Sequence, residues 1–170
     1  MRRIVKQREP AELIAHRNTQ VGVDYDNAPK EPMRKALLAE QEGLCAYCMK
    51  QIDVGAMKIE HHTAQTVDAT GALDWSNLLG VCEGGAKGPR TLQTCDTRKG
   101  NAALSLNPTY ERIERQVTYN TNGALVASNA SEQHEADVIL GLNTADPRRA
   151  RESTLDAFLN VVRAAVPEGT

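Results

Sequence analysis

All four cysteines of the chain lie on either side of one short stretch that contains acidic residues and histidines. Cys45 and Cys48 precede this stretch, and Cys82 and Cys95 follow it. Four thiolates arranged as two pairs can supply the tetrahedral ligand set of a structural zinc ion. Residues 1–6 lack the apolar run of a secretory signal, so we expect a cytoplasmic protein whose thiols stay reduced. The sequence therefore predicts a zinc site rather than a disulfide framework.

A zinc ion bound by these cysteines would hold the polar residues between them close together. Glu60 and Asp96 are carboxylates, and such a pair can hold one Mg²⁺ or Mn²⁺ against a phosphate. His61 follows Glu60 directly and could take a proton from an attacking water near neutral pH. Asn77 could hydrogen-bond to the backbone of the loop that carries the histidine. Together these residues indicate metal-dependent hydrolysis of a phosphodiester bond.

Two basic residues and a second histidine border this set. Arg98 and Lys99 lie one helical turn beyond Asp96, where they could contact phosphate, although a solvated helix surface explains at least one of them. His62 could contact nucleic acid or lie on the surface. It also permits a shifted register in which His61 binds the metal and His62 is the base. We favour His61 as the base, because an acidic residue directly before it suits a metal that prefers oxygen ligands.

The combined motifs resemble those of the HNH, or ββα-metal, endonucleases, and more narrowly those of the PtuB-like branch. PtuB is the HNH subunit of Septu-type bacterial anti-phage systems and works beside the ABC-type ATPase PtuA. The resemblance covers roughly residues 33–143 of the chain. The segments that carry it are GLCAYC at 43–48, IEH at 59–61, LDWSNLLGVC at 73–82, CDTRKGN at 95–101 and NP at 107–108.

The resemblance implies a role for each residue of the set. Glu60 and Asp96 would bind a catalytic Mg²⁺ or Mn²⁺, His61 would be the general base, Asn77 would orient it, and the four cysteines would bind structural zinc. The chain would then cleave nucleic acid, DNA rather than RNA, as the effector of an anti-phage complex with a PtuA-like ABC-type ATPase. It departs from the family pattern in three respects: Asp96 replaces the commoner Asn or His, a long insert separates the second cysteine pair, and His62 directly follows His61.

To position these residues, the chain needs two strands and a helix around the zinc. Residues 57–61 are typical of a strand, residues 78–82 of a second, buried strand, and a short helix can begin at Asp96. The sequence therefore predicts an α+β fold: a zinc-stapled ββα-metal (HNH) core with flanking helices and a small β-hairpin. We expect an N-terminal extension over 1–30, the nuclease core over 31–108, and the β-hairpin plus a C-terminal helical region over 109–170.

The flanking elements follow from periodicity and turn signals. A short helix is indicated near 11–17, and a longer one opens at Glu31 and Pro32 and ends near Gly43. Thr121-Asn122-Gly123 predicts a hairpin between strands 116–120 and 124–128. Ser131 is expected to cap a helix that runs to about residue 142, followed by a second helix over about 148–166. The expected buried stripes are Met33, Leu37, Leu38 and Leu44 in the longer helix, and Leu155, Phe158, Leu159, Val162 and Val166 in the last one.

Composition limits the classes of function. The formal net charge of −2 over 170 residues excludes a globally basic nucleic-acid binder. We therefore expect the isolated chain to bind nucleic acid weakly and in a salt-sensitive way, with a partner supplying electrostatic attraction. No apolar stretch is long enough to span a bilayer. The apolar stripe over 155–166 predicts core packing or, as an alternative, a docking face for a partner ATPase.

Two other functions compete with the preferred one. The first is a zinc-stapled binding module, a catalytically degenerate relative that recruits a partner or nucleic acid. Both carboxylates and the histidine are present, which argues against degeneracy. The second is a restriction or homing nuclease that acts alone, but the sequence contains no evident DNA-reading helix or basic arm.

Overall fold

The computed structural model describes residues 1–19 and 24–165, which form an α+β fold with two small antiparallel sheets. This confirms the α+β part of the predicted fold class. The helices and strands are α1 (Ala11–Arg17), α2 (Lys30–Glu40), β1 (Met57–His61), β2 (Leu78–Cys82), α3 (Cys95–Lys99), α4 (Ile113–Gln116), β3 (Val117–Tyr119), β4 (Leu125–Ala127), α5 (Ala130–His134) and α6 (Ala145–Ala165).

The first sheet pairs β1 with β2 and carries most of the polar residues of interest. Its register places Met57 opposite Cys82 and His61 opposite Leu78. Every residue of β2 is buried, as expected for a continuous apolar strand covered on both faces. Helix α2 packs against both strands, and α3 packs against β2. The two predicted strands are confirmed with their predicted bounds.

The end of α2 is fixed to this sheet by a buried glutamine. The Gln41 side-chain amide donates to the carbonyl oxygens of Leu44 (2.8 Å) and Gly80 (2.7 Å) and accepts from the Gly80 N–H (2.7 Å). Glu42 and Gly43 then adopt positive φ angles of 54° and 74°, which end the helix. The chain is therefore delivered to the first cysteine from a fixed position beside β2.

The second sheet is the predicted hairpin. Strand β3 pairs with β4 so that Val117 lies opposite Ala127. The turn closes through the Asn120 N–H, which donates to the Ala124 carbonyl at 2.8 Å. Gly123 has a φ of 74°, and a Cβ atom there would lie 2.2 Å from the Arg148 carbonyl oxygen. Glycine is therefore required for the start of α6 to pack over the turn.

The helix predicted to run from Ser131 to about residue 142 is wrong in its cap and its geometry. Asn129, not Ser131, caps α5, and its side chain accepts from the Glu132 N–H at 3.0 Å. A π-helical turn, Glu135–Ile139, follows directly. The buried Glu135 carboxylate accepts hydrogen bonds from the N–H groups of Ser105 and Leu106. The Glu135 side chain therefore binds a loop that lies thirty residues earlier in the chain.

The core packing predicted for the last helix is also wrong. No residue of α6 is buried, and Phe158 is 62% exposed. Leu155 and Leu159 are half-buried, while Val166 lies outside the described residues. Among the helices of the described chain, none combines the length and the apolar character needed to cross a membrane.

Candidate metal centre and carboxylate–histidine site

The four cysteines converge at one buried point. All are free thiols, and their sulfur atoms lie within 4.8 Å of one another. The Sγ atom of Cys95 is 3.8 Å from that of Cys45 and 3.7 Å from that of Cys82, and Cys48 is 3.7 Å from Cys82. A tetrahedral zinc site with Zn–S bonds of about 2.3 Å has S···S edges of about 3.8 Å. The four thiols therefore fit a zinc ion, and the long insert does not keep Cys95 away.

The first cysteine pair sits in a tight turn after α2. The Cys45 N–H donates to the Lys50 carbonyl at 2.8 Å, and the Met49 N–H donates back to the Cys45 carbonyl at 3.0 Å. Met49 has a φ of 64°, which lets the chain reverse. The Ala46 N–H donates to the Gly80 carbonyl at 3.0 Å and so ties the turn to β2. Backbone bonds alone thus place both sulfur atoms beside Cys82.

The second cysteine pair is joined across the insert. The insert begins after Cys82, at the end of β2. Its two ends are joined by a hydrogen bond of 2.9 Å from the Thr94 N–H to the Gly84 carbonyl. The Cys95 N–H then donates to the Leu140 carbonyl at 2.8 Å, so the C-terminal region also positions this ligand. The insert is therefore a closed loop whose two ends are fixed at the metal site.

Replacing Gly84 with alanine is expected to destabilise the chain by about 1–3 kcal/mol and to weaken zinc retention. Gly84 has a φ of 58°, and a Cβ atom there would lie 2.2 Å from the Thr94 carbonyl oxygen. Gly88→Ala in the same loop is the matched control, because its Cβ would meet only the Gly85 carbonyl at 3.4 Å. Denaturant unfolding and zinc release to a chelator should separate the two variants; equal behaviour would refute this account of the loop.

The pKa values of the cysteine thiols are shifted in opposite directions. Hydrogen bonds from the other three cysteines lower the pKa of Cys82, whereas burial raises the pKa of Cys45. Hydrogen bonds with its neighbours, together with burial, raise the pKa of Cys95 as well. Four thiolates can coexist at this spacing only if a cation lies among them, and a bound zinc ion would supply that charge.

The two carboxylates lie beside this frame, each paired with a lysine. Glu60 is 3% exposed and accepts hydrogen bonds from the Tyr47 hydroxyl (3.1 Å) and the Lys99 ammonium (2.8 Å). Asp96 accepts from the Lys58 ammonium at 3.1 Å. The strand residue Glu60 and the helix residue Asp96 are close enough for each to shift the pKa of the other.

The pKa values of the two carboxyl groups move in opposite directions. Burial and the neighbouring Asp96 carboxylate raise the pKa of Glu60 to about 8. Burial also pushes the pKa of Asp96 upwards, but hydrogen bonds from Glu60 and Lys58 outweigh it and the net pKa is lowered. A proton on Glu60 that is hydrogen-bonded to Asp96 accounts for both shifts. A divalent cation could take the place of that proton.

The Glu60 carboxyl group should make folding depend on pH. Its folded pKa lies above the ordinary value of 4.5, so between about pH 4.5 and pH 8 the folded chain keeps a proton that the unfolded chain releases. Its contribution to the free energy of unfolding therefore falls as pH rises through this range. The amino group of Met1, whose pKa burial lowers to about 5, acts with the opposite sign in the same range.

The quantity to measure is the difference in free energy of unfolding between wild type and a variant that lacks the Glu60 carboxyl group. We expect the stability of wild type relative to Glu60→Gln to decline from about pH 5.5 to pH 8 in zinc-loaded protein without other divalent ions. Denaturant unfolding at several pH values gives this difference, and the Met1 contribution cancels in it. A difference that is constant with pH would show that Glu60 is ionised throughout.

The ring of His61 is held on both nitrogen atoms. Its Nε2 lies 2.9 Å from the Ala72 carbonyl oxygen, and its Nδ1 lies 3.2 Å from the amide nitrogen of Gln65. A carbonyl can only accept, so Nε2 carries the proton, and the Nδ1 lone pair accepts from the Gln65 amide. The Tyr25 ring contacts it edge-on at 4.4 Å. Burial lowers the pKa of His61, which keeps the imidazole neutral and able to accept a proton at Nδ1.

Asn77 and His62 occupy other positions around the loop. The Asn77 side chain accepts from the Thr63 N–H at 2.8 Å and donates to the carbonyl oxygens of Thr63 and Gly71. It therefore fixes the loop next to Ala72 rather than contacting the His61 ring. The His62 ring lies 3.2 Å from the Leu106 carbonyl, and its contact is with that segment rather than with either carboxylate.

The two basic residues after Asp96 are engaged inside the chain. Arg98 donates to the Val138 carbonyl at 2.8 Å and also to the carbonyl oxygens of Thr91 and Gln93. Lys99 is 4% exposed and binds Glu60 and the His61 carbonyl. Lys99 is therefore withdrawn from solvent, whereas Arg98 is half-buried and is tied to backbone carbonyl groups near the surface.

No protein-family model matches this chain, and no curated protein is significantly similar to it. The likeness to HNH endonucleases is thus one of motifs, and functional arguments must start from the residues above. Sequence reasoning missed several residues of the site, namely Tyr25, Tyr47 and Lys58. Only Tyr47 carried a signal, because it stands inside the first cysteine pair.

Proposed function

We propose that the chain is a metal-dependent HNH endonuclease that hydrolyses phosphodiester bonds of nucleic acid, DNA rather than RNA. The observation that carries the proposal is the meeting of Glu60 and Asp96 beside a four-cysteine frame, with His61 as the next residue of the same strand. Glu60 and Asp96 offer oxygen ligands for a hard cation, and His61, one residue further along β1, offers a neutral imidazole.

Each residue has a task in this reaction. Glu60 and Asp96 hold a Mg²⁺ or Mn²⁺ ion, which when bound neutralises charge on the phosphate and on the leaving oxygen. His61 accepts the proton of the attacking water at Nδ1, while the Ala72 carbonyl keeps Nε2 protonated. Lys99 and the Tyr47 hydroxyl fix the buried Glu60 carboxylate in place. Asn77 holds the loop that positions the histidine.

The test is cleavage of plasmid DNA and of total tRNA by the zinc-loaded chain, with and without added Mn²⁺. The expected result is Mn²⁺-dependent nicking that is lost in Asp96→Ala. Glu31→Ala, which removes an exposed carboxylate from α2, is the control for charge. Cleavage that needs no divalent ion, or that survives Asp96→Ala, would contradict the proposal.

The second candidate is a zinc-stapled module without catalysis. It is favoured by one observation: Lys99 and Lys58 already pair with the two carboxylates, as in a purely structural ion-pair network. Calorimetry separates the two functions. An endonuclease should bind Mn²⁺ in a manner that Glu60→Ala removes, whereas a structural network should show no such binding.

The same proposal includes a partner, a PtuA-like ABC-type ATPase of a bacterial anti-phage system. The support is the motif resemblance together with the net charge of −2, which leaves electrostatic attraction for nucleic acid to another subunit. Co-purification with the products of neighbouring genes tests it. A chain that protects cells from phage when expressed alone would refute the need for this partner.

A further inference from the structure

Two cations on one side of α2 border the proposed catalytic histidine. Lys30 and Arg34 are four residues apart and therefore share a helix face. Both are half-buried, next to the stripe of Met33 and Leu37 that packs into the core. Like charges at this spacing disfavour a helix, so the pair is not explained by the stability of α2.

Lys30 is linked to His61 through the ring of Tyr25, which contacts both side chains. Its ammonium lies 2.7 Å from the centre of the Tyr25 ring and also donates to the Tyr25 carbonyl. The other contact of that ring is His61, at 4.4 Å between centroids and an angle of 75°. The Tyr25 hydroxyl donates to the Ile59 carbonyl at 3.5 Å, which fixes the ring against β1. The ammonium is thus in fixed proximity to the imidazole.

Arg34 stands beside this stack without a counter-charge. Within residues 1–19 and 24–165 its guanidinium forms no hydrogen bond or ion pair, and its Nε is buried without a partner. The next cation along α2 behaves differently: Lys35 pairs with Glu31 at 2.6 Å, and both are exposed. An unpaired guanidinium beside a half-buried aromatic ring can receive an anion, because its fork of donors matches carboxylate and phosphate oxygens.

The other basic residues near the carboxylates cannot do this work. Arg98 is bound to backbone carbonyls, and Lys99 and Lys58 are bound to Glu60 and Asp96. A nucleic-acid substrate nevertheless brings several phosphates to the site, and each requires neutralisation. Of these basic residues, Arg34 alone has no partner among the described residues, and Lys30, which donates to the Tyr25 carbonyl, lies one helical turn from it on the histidine side.

We propose that Lys30 and Arg34 form a phosphate clamp, which binds a backbone phosphate of the nucleic-acid strand adjacent to the phosphodiester bond that the water activated by His61 attacks. This inference rests on the proposed function. Arg34 makes the bidentate contact, since its fork matches two phosphate oxygens, and Lys30 adds a point charge held in place by Tyr25. The clamp positions the strand and takes no part in proton transfer.

The experiment measures binding separately from cleavage. Zinc-loaded full-length chain is titrated into a fluorescent DNA duplex without other divalent ions, at salt concentrations from about 20 to 150 mM. Arg34→Gln is compared with Lys35→Gln, which removes the same charge from the exposed side of α2. We expect Arg34→Gln to weaken binding roughly tenfold at about 50 mM salt and to reduce the slope of log affinity against log salt by about one.

Lys35→Gln should leave that slope unchanged, and Arg34→Lys should recover part of the affinity. Equal losses in Arg34→Gln and Lys35→Gln, or no binding by wild type at the lowest salt, would overturn the clamp. Zinc content and thermal unfolding of each variant identify a folding defect. If Arg34→Gln is misfolded, Arg34→Lys becomes the deciding variant. Binding by Arg34→Lys that is no tighter than binding by Arg34→Gln would also overturn the clamp. Failure of the proposed endonuclease activity would give a different result, namely no Mn²⁺-dependent cleavage although DNA binding is intact.

Discussion

A Cys95→Ser chain is expected to purify without stoichiometric zinc and without a cooperative unfolding transition. Structural zinc contributes about 10–16 kcal/mol of binding free energy in small zinc domains, and most of that depends on a complete ligand set. The whole folding free energy of a domain is only about 5–15 kcal/mol. The loss of one thiolate ligand therefore outweighs the margin of stability of this chain.

Cys95 is the most informative of the four ligands because it also links three parts of the fold. It begins α3, carries Asp96 as its neighbour, and donates its N–H to Leu140. Leu92→Ser, at an exposed position of the same loop, is the matched control and should keep zinc. Zinc stoichiometry and circular dichroism on heating provide the measurement. A Cys95→Ser chain with one bound zinc and a sharp transition would show that the thiols are merely packed.

His61→Ala is expected to lower the cleavage rate by about 10²–10⁴-fold while zinc content stays at the wild-type level. The reason is local: the imidazole provides the neutral Nδ1 lone pair, whereas the zinc site is formed by other segments of the chain. The measurement is the initial rate of plasmid nicking in Mn²⁺, with zinc determined on the same samples.

His62→Ala tests the shifted register directly. Its ring contacts the Leu106 carbonyl, so this variant should cleave at close to the wild-type rate. His134→Ala, at an exposed position, gives the baseline for the loss of any histidine. If cleavage survives in both His61→Ala and His62→Ala, the proposed proton transfer is wrong. If only His62→Ala is inactive, His62 rather than His61 is the general base.

Much of the frame could be predicted from local sequence. Strand β2 is a short, continuous apolar run that ends in a cysteine, a pattern that predicts a buried strand. Its bounds were predicted correctly. The hairpin turn required Gly123, and the structure has it at a positive φ. The convergence of four cysteines followed from their number and spacing, because a single zinc leaves none of them unused.

The remainder depends on contacts between residues far apart in the chain, which no local pattern encodes. Lys99 was expected near phosphate, yet it is buried because Glu60 needs a counter-charge inside the fold. The buried Glu135 accepts hydrogen bonds from a loop thirty residues earlier, a contact that helical periodicity does not reveal. The stripe of α6 has the period of a buried helix, and periodicity alone does not say whether a partner surface exists.

The closed loop between Cys82 and Cys95 offers a place for protein engineering. Its ends are fixed by the Gly84–Thr94 hydrogen bond and by two sulfur atoms 3.7 Å apart, while residues 85–92 are exposed. Closure entropy rises by only about 0.6 kcal/mol for each doubling of loop length. An epitope or a dye-labelling tag inserted at Lys87 would therefore report on the chain without entering the carboxylate–histidine site.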